Sequence, residues 1–213
     1  MQVLRINWLA VGAAALLGAG VTSSAARAED DGSRVQVSVL GGVQNLNKND
    51  TALPDNFVNI PAGATLSYDF SRNWGVEGEF AWLIPVKQSV DLGVAGSQDR
   101  KTPNILSYQG SVIGRLPLSG TAWSPYVAAG LGAVTFLSNS DVDRFPQLKD
   151  SQTAFAVNFG AGTNYGLGSH WALRADYREL AAFPSKTEAG LSTGSKADAI
   201  WMERGTLGLA YRF

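Results

Sequence analysis

The chain of 213 residues contains no cysteine and only one histidine. Without cysteine, neither a disulfide scaffold nor a metal site built on thiolates can form. Charged residues make up 16% of the sequence, and the net charge of −1 provides no basic surface for nucleic acid. Since there is one histidine and the acids are scattered, we expect no metal and no cofactor.

Long apolar runs are missing everywhere except near the N-terminus. There, Arg5 precedes the apolar segment Trp8–Leu17, and small residues lead to Ala26-Arg27-Ala28. A basic start, a short apolar core and a small-x-small site predict a secretory signal peptide over residues 1–28, with the mature domain at 29–213. A helix needs about 20 apolar residues to span a bilayer, more than this core supplies. A membrane protein with this sequence must therefore be a closed β-barrel, because lipid leaves no other way to satisfy the backbone.

The rest of the chain alternates between apolar and polar residues with a period of two, which predicts strands with one apolar face. For example, Trp74, Val76 and Phe80 alternate with Glu77 and Glu79. The fifth strand has little contrast between its faces, so the alternation does not assign its inward face. Eight strands are predicted, at residues 35–43, 60–70, 74–83, 105–116, 125–136, 153–165, 171–180 and 200–213.

The connections between these strands alternate in length: long, short, long, short, long, short, long. Outer-membrane barrels have short turns on the periplasmic side and long loops outside. A soluble sandwich has no reason to place every long connection at one end. We therefore predict an all-β fold, an eight-stranded antiparallel up-and-down transmembrane β-barrel with both chain ends on the periplasmic side.

Aromatic residues on the apolar faces gather near the ends of the predicted strands and leave an aliphatic band between them. The two membrane interfaces favour two such belts, whereas a soluble core would hold its aromatics in mid-strand. The predicted belts are Phe70, Trp74, Tyr165 and Trp171 at the short-turn end and Trp82, Phe136, Phe155 and Trp201 at the long-loop end.

The last strand carries the alternation to the end of the sequence. Leu207, Leu209, Tyr211 and Phe213 share one face, and the final residue is itself aromatic. This strand resembles the assembly signal of bacterial outer-membrane β-barrels. Together with the strand number and the loop lengths, it makes the mature chain similar to the small OmpA/OmpX-type and opacity-type barrels of the porin family.

This resemblance implies a location in the bacterial outer membrane. The partners it implies are outer-membrane lipid and lipopolysaccharide, the barrel-assembly machinery, and an extracellular ligand held by the four long loops. Since the sequence stops at Phe213, we do not expect the peptidoglycan-binding periplasmic domain of full-length OmpA-type proteins. Loops on a rigid scaffold commonly carry binding, so a structural or surface-interaction role is favoured.

If the apolar faces meet lipid, the opposite faces point into the lumen. An eight-stranded barrel is only wide enough for side chains to fill it, and the third and seventh strands lie diametrically opposite. We predict that Glu77 and Glu79 pair there with Arg174 and Arg178, since an unpaired buried charge costs several kcal/mol. The network would be a structural plug or, alternatively, a narrow gated ion path. Its predicted members are Asp69, Glu77, Glu79, Arg115, Arg174, Asp176, Arg178, Arg204 and Arg212.

Some eight-stranded barrels modify lipopolysaccharide, so an enzyme is a third hypothesis. Such chemistry needs a nucleophile and a base within hydrogen-bonding reach. Ser169 and His170 are adjacent in a short turn, but sequence neighbours do not make a triad. The His-x-Ser-type motif of barrel deacylases is also missing. We therefore predict that the protein is not an enzyme.

Overall fold

The computed structural model describes residues 34–47, 57–91, 97–116, 118–141, 143–144, 147–184 and 199–213. The predicted signal peptide lies outside these residues, as do most of the first and last long loops. No helix within the described ranges is long and apolar enough to cross a membrane. The described strands are β1 Val35–Asn47, β2 Phe57–Asp69, β3 Trp74–Pro85, β4 Gln88–Asp91, β5 Ser97–Arg100, β6 Ile105–Arg115, β7 Trp123–Phe136, β8 Gln152–Gly166, β9 Trp171–Phe183 and β10 Ile200–Arg212.

Eight of these strands close into a barrel in which every neighbouring pair is antiparallel. The order around the barrel is β1, β2, β3, β6, β7, β8, β9 and β10. The first and last strands close it, from Gln36 opposite Arg212 to Asn47 opposite Trp201. The predicted fold class and the alternation of short and long connections are therefore confirmed.

The barrel has two different ends, named here by their connections. The turn end holds the short connections 70–73, 116–122 and 167–170, and Gly120 takes a positive φ of 79° in the second of them. The chain also enters and leaves the barrel there, because the Phe213 N–H donates to the Val35 carbonyl at 3.2 Å. The loop end holds the long connections.

The alternation in the sequence corresponds to an alternation in burial, with polar side chains inside the barrel and apolar side chains outside. On β2, Thr65 and Ser67 are buried in the lumen, whereas Leu66 between them is 58% exposed on the outer wall. β3 repeats the pattern, with Glu77 buried and Val76 exposed. The polar side chains therefore fill the barrel and the apolar ones form its outer surface, as a wall facing lipid requires.

The sequence predicts no strand in the second long loop, and the structure differs there. The loop contains the separate β4–β5 hairpin, which pairs from Gln88 opposite Arg100 to Asp91 opposite Ser97. Its four-residue polar strands have no apolar alternation to mark them. Several barrel strands also continue further toward the loop end than predicted. Apolar residues lie on both faces there, so the apolar–polar alternation ends before the strand pairing does.

Candidate functional site

The predicted lumenal charges are all on the inward side of their strands. Seven of them are at most 7% exposed, Asp69 is partly buried, and Arg212 is exposed at the turn end. On β9 the period of two points three charged residues in succession into the barrel: Arg174, Asp176 and Arg178. The lumen is therefore the part of the barrel where chemistry is concentrated.

A salt bridge spans the lumen between opposite walls. Arg174 on β9 grips Glu77 on β3 with two parallel hydrogen bonds, of 2.6 Å from Nη1 to Oε2 and 3.0 Å from Nη2 to Oε1. Arg178 donates to the same Oε1 atom. Asp176 accepts from Arg174 at 3.1 Å and from Arg178 at 3.0 Å. Two acids and two bases therefore form a compact, neutral cluster.

Hydroxyl groups satisfy further polar atoms of this cluster. Tyr126 on β7 donates its hydroxyl to Asp176 and lies 5.0 Å from the Arg174 guanidinium, measured to the ring centroid. Ser67 donates to Glu77 at 2.7 Å. The sequence does not predict Tyr126 as a lumenal residue, because the two faces of its strand look alike. We call Glu77, Tyr126, Arg174, Asp176 and Arg178 the ionic layer.

A glycine on the neighbouring strand makes room for Tyr126. An added Cβ at Gly162 would overlap the Tyr126 hydroxyl oxygen and would lie 2.6 Å from the carbonyl oxygen of Ala175. No side chain fits between these atoms. The ionic layer therefore depends on Gly162 as well as on its charged members.

Of the other five lumenal charged residues, four form two ion pairs and the fifth, Arg212, has no described acidic partner. Arg204 contacts Glu79, and Arg115 contacts Asp69 at 2.8 Å. Arg212 has no carboxylate partner among the described residues, and its Nη2 donates to the amide oxygen of Gln36 at 3.4 Å. The sequence predicts Arg212 as a member of the ion-pair network, but among the described residues it has no ion pair with the other members.

The loop end of the lumen is apolar, which was not predicted. A cluster of buried apolar residues fills this end, and one of its members is Leu148 from the third long loop. We call the cluster the apolar layer, and it consists of Leu46, Phe57, Leu83, Ile105, Val134, Phe136, Leu148, Ala154, Ala156, Leu180, Ala182, Ile200 and Met202. Buried apolar residues of this kind fill space rather than conduct ions.

Phe136 corrects one prediction, because it belongs to this layer and not to an outer aromatic belt. It is 1% exposed. The even-numbered residues of β7 point inward, including Tyr126 and Val134, and Phe136 follows them. The sequence does not show which face of this strand points inward, because small residues lie on both faces.

The other predicted belt residues lie on the outer wall. The structure adds Trp123, whose ring centroid is 4.9 Å from that of Tyr165, and Phe183, which stacks on Phe155 at 6.2 Å. The apolar residues of the last strand also point outward, and the ring centroids of Tyr211 and Trp171 are 4.9 Å apart. Outward-facing residues from the predictions are Phe70, Trp74, Trp82, Phe155, Tyr165, Trp171, Trp201, Leu207, Leu209, Tyr211 and Phe213.

A model of the outer membrane protein beta-barrel domain matches residues 12–213. The chain belongs to this family. The barrel is similar to the N-terminal β-barrel domain of Pseudomonas aeruginosa OprF, at 16% identity and a TM-score of 0.51, over 85% of this chain and 99% of that one. It is also similar to Neisserial surface protein A, at 12% identity and a TM-score of 0.56, over 85% and 98%. At these identities the likeness shows the fold alone. No curated protein matches the sequence.

In an outer-membrane barrel the turn end faces the periplasm and the loop end faces outward. On the outward side, the second and third long loops contact each other. The Lys101 ammonium group lies 3.0 Å from the Asp143 carboxylate. The Lys101 backbone N–H donates to the Asp143 backbone carbonyl at 2.8 Å. The hydrogen bond from Lys101 lowers the pKa of Asp143 below its usual value. The Asn139 N–H donates to the Leu148 carbonyl at 2.8 Å, which helps to hold that leucine in the apolar layer.

Two acids lie on the lipid-facing wall of this outer-membrane barrel. Glu179 on β9 is directly opposite Glu203 on β10, and the Tyr177 hydroxyl donates to Glu179 at 3.2 Å. They are the only charged residues at outward positions of the described barrel strands. Neither glutamate is among the predicted site residues, although the sequence places both on the apolar faces of their strands.

Ser169 and His170 lie in an exposed periplasmic turn. The serine Oγ is 2.7 Å from the histidine Nδ1, and the imidazole ring stacks on Tyr211 with centroids 5.7 Å apart. Within the described residues His170 has no carboxylate partner. This turn therefore offers a base beside a hydroxyl without the third group that would orient it.

Proposed function

We propose that this outer-membrane barrel has a structural and surface-interaction role, with a plugged lumen and with its extracellular loops as the contact surface. The observation that carries the proposal is the bridge in which Glu77 on β3 holds Arg174 and Arg178 on the opposite wall. In a barrel of eight strands, side chains that meet across the lumen leave no wide path for solutes.

The apolar layer supports the same proposal because it is a second barrier in series with the first. An ion that passed the ionic layer would next meet a region lined by Leu83, Ile105 and Phe136 and closed by Leu148. An unpaired ion in such surroundings costs several kcal/mol. A solute would have to move both layers to pass.

The charges of the described loops favour a partner that is recognised by shape and hydrogen bonds. Acids and bases are mixed there and neutralise one another locally, so no single-sign field attracts a polyanion such as heparin or DNA. The loop ion pairs are Lys87 with Asp99 at 3.8 Å, Lys101 with Asp143 at 3.0 Å and Arg144 with Asp141 at 2.8 Å.

Conductance tests the plug. The protein purified from outer membranes is inserted into a planar bilayer, with folding checked by its heat-dependent shift on a gel. A silent bilayer with folded protein is the expected result. Discrete, reproducible current steps from the unaltered protein would contradict the plug and support a pore.

A narrow, gated ion path is the second candidate. Several buried polar atoms beside the ionic layer have no partner among the described residues, including both amide atoms of Gln44, Oε2 of Glu79 and Oγ1 of Thr206. Such atoms favour a hydrated space along this part of the wall. Current steps whose ion selectivity changes in Glu79→Gln would support the path.

The exposed apolar face of β10 and the Phe213 that follows it support a role as the signal for the barrel-assembly machinery. Phe213 is 62% exposed on the outer wall at the periplasmic end. Phe213→Ala should lower the fraction of folded, heat-modifiable protein in outer membranes. Phe70→Ala removes a similarly exposed aromatic at the same end and serves as the control. Equal folded fractions in the two variants would argue against the signal.

A further inference from the structure

Arg212, the lumenal base without an ion pair among the described residues, lies at the periplasmic mouth of the barrel. A guanidinium has five N–H donors in a rigid fork. Arg212 uses one of them in its long contact with Gln36, and no described carboxylate lies within salt-bridge distance. The four lumenal acids are engaged by Arg115, Arg174, Arg178 and Arg204. No described acid therefore neutralises the charge of Arg212, and most of its donors remain for a group outside the protein.

Arg212 lines a recess of about 110 Å³ at the mouth. Its walls come from the first residues of β1, β7 and β9, the last residues of β8 and β10, and the turn 167–170. Its other polar side chains are those of Gln36, Ser124, Asn164, Ser169 and His170. A recess of this size accommodates a group as small as a carboxylate or a phosphate.

Asn164 provides an independent indication of a ligand. Its side chain is 4% exposed, yet neither Oδ1 nor Nδ2 has a hydrogen-bonding partner among the described residues. Buried polar groups are nearly always paired. An unpaired, buried amide in the wall of a recess that also holds a guanidinium without an acidic partner indicates that a polar ligand supplies the missing partner.

The charge of the recess decides the class of ligand. Arg212 supplies the positive charge of the recess, and none of its lining residues is an acid. The nearest part of β8 adds the amide group of Asn164 rather than a carboxylate, and Asp69 and Asp176 are bound to arginines. The sign of the charge and the donors of Arg212 and Asn164 both suit a negatively charged oxygen.

We propose that this periplasmic recess binds a small oxyanion, a carboxylate or phosphate group, with Arg212 supplying the charge and the Asn164 amide donating a hydrogen bond. The ligand is either a free ion or the anionic end of a larger periplasmic molecule. The site goes beyond the proposed role of the loops. It does not depend on whether the lumen conducts, because the recess lies on the periplasmic side of the ionic layer.

Nuclear magnetic resonance tests the site in the full-length protein, in a non-ionic detergent and a phosphate-free buffer. Sodium phosphate, sodium acetate and N-acetyl-alanine are titrated separately at constant ionic strength. The Asn164 side-chain amide and the backbone amides of Gly166 and Ala172 should shift in a saturable way. Arg212→Gln should weaken binding by roughly tenfold or more, since it removes a charged hydrogen bond.

Two further variants make the result decisive. Arg72→Gln removes an exposed arginine from another periplasmic turn and should bind like the unaltered protein. Asn164→Ala, checked for folding by heat modifiability, should weaken binding by a smaller factor than Arg212→Gln. Tighter binding of N-acetyl-alanine than of acetate would identify the end of a larger molecule, and the reverse would identify a free ion. No saturable shift with any probe, or equal weakening by Arg72→Gln and Arg212→Gln, would overturn the proposal.

Discussion

The ionic layer and the apolar layer fill the same narrow lumen with opposite chemistry. In the ionic layer each group is fixed by a named partner, as Glu77 is by Arg174, Arg178 and Ser67. In the apolar layer the residues fit by volume and have no directional bonds. Loss of one ionic partner leaves a buried charge, whereas loss of one apolar group leaves a cavity. The first layer should therefore be more sensitive to small chemical changes than the second.

The largest effect is expected for Glu77→Gln. This change keeps the shape of the side chain but leaves Arg174 and Arg178 with one buried acid, Asp176, between them. Removing one partner of a buried ion pair costs about 3–5 kcal/mol. Urea unfolding in lipid vesicles measures the loss. Glu203→Gln makes the same change on the outer wall and should cost nothing, so equal stability of both variants would show that the bridge does not stabilise the barrel.

In the apolar layer, Leu148→Ala should have a smaller effect. Leu148 is fully buried although it comes from a loop, and its truncation leaves a cavity that costs about 2–3 kcal/mol. Proteolysis of the third loop should become faster, because that loop loses its anchor in the barrel. Leu118→Ala in an exposed periplasmic turn is the control. Conductance should stay silent in both variants, since the ionic layer is intact, and a current in Leu148→Ala would place the barrier in the apolar layer alone.

The sequence predicts the ionic layer better than the apolar one. Glu77 and Arg174 stand at polar positions of strongly alternating strands, and the barrel order places those strands opposite each other. The sequence leaves Tyr126 unassigned and wrongly predicts Phe136 in an outer belt, because β7 has small residues such as Ala128 and Ala129 on both faces. Leu148 lies in a loop without any period, so only the tertiary structure brings it to the barrel.

A change that contains no charge should also disturb the ionic layer. In Gly162→Ala the new methyl group would overlap the Tyr126 hydroxyl and displace it from Asp176. Overpacking of this kind typically costs about 1–3 kcal/mol. Gly78→Ala is the matched control, because a Cβ there meets no atom within 4 Å on the outer wall. If both variants unfold at the same urea concentration, the space beside Tyr126 is not needed for the layer.

The smallest effect, and the only expected gain, concerns the acids outside the barrel. Glu179 and Glu203 are like charges in directly opposite positions, an arrangement that destabilises a strand pair by up to about 1 kcal/mol. Glu203→Leu removes this repulsion and presents an apolar side chain to lipid, so urea unfolding in vesicles should shift to a slightly higher concentration. The same glutamate-to-leucine change at Glu77 should be strongly destabilising. The lumen and the outer wall would then differ in the sign of the effect, because glutamate has arginine partners in the lumen and faces another glutamate on the outer wall. A loss of stability in Glu203→Leu would mean that the outer acids have a stabilising partner in the membrane.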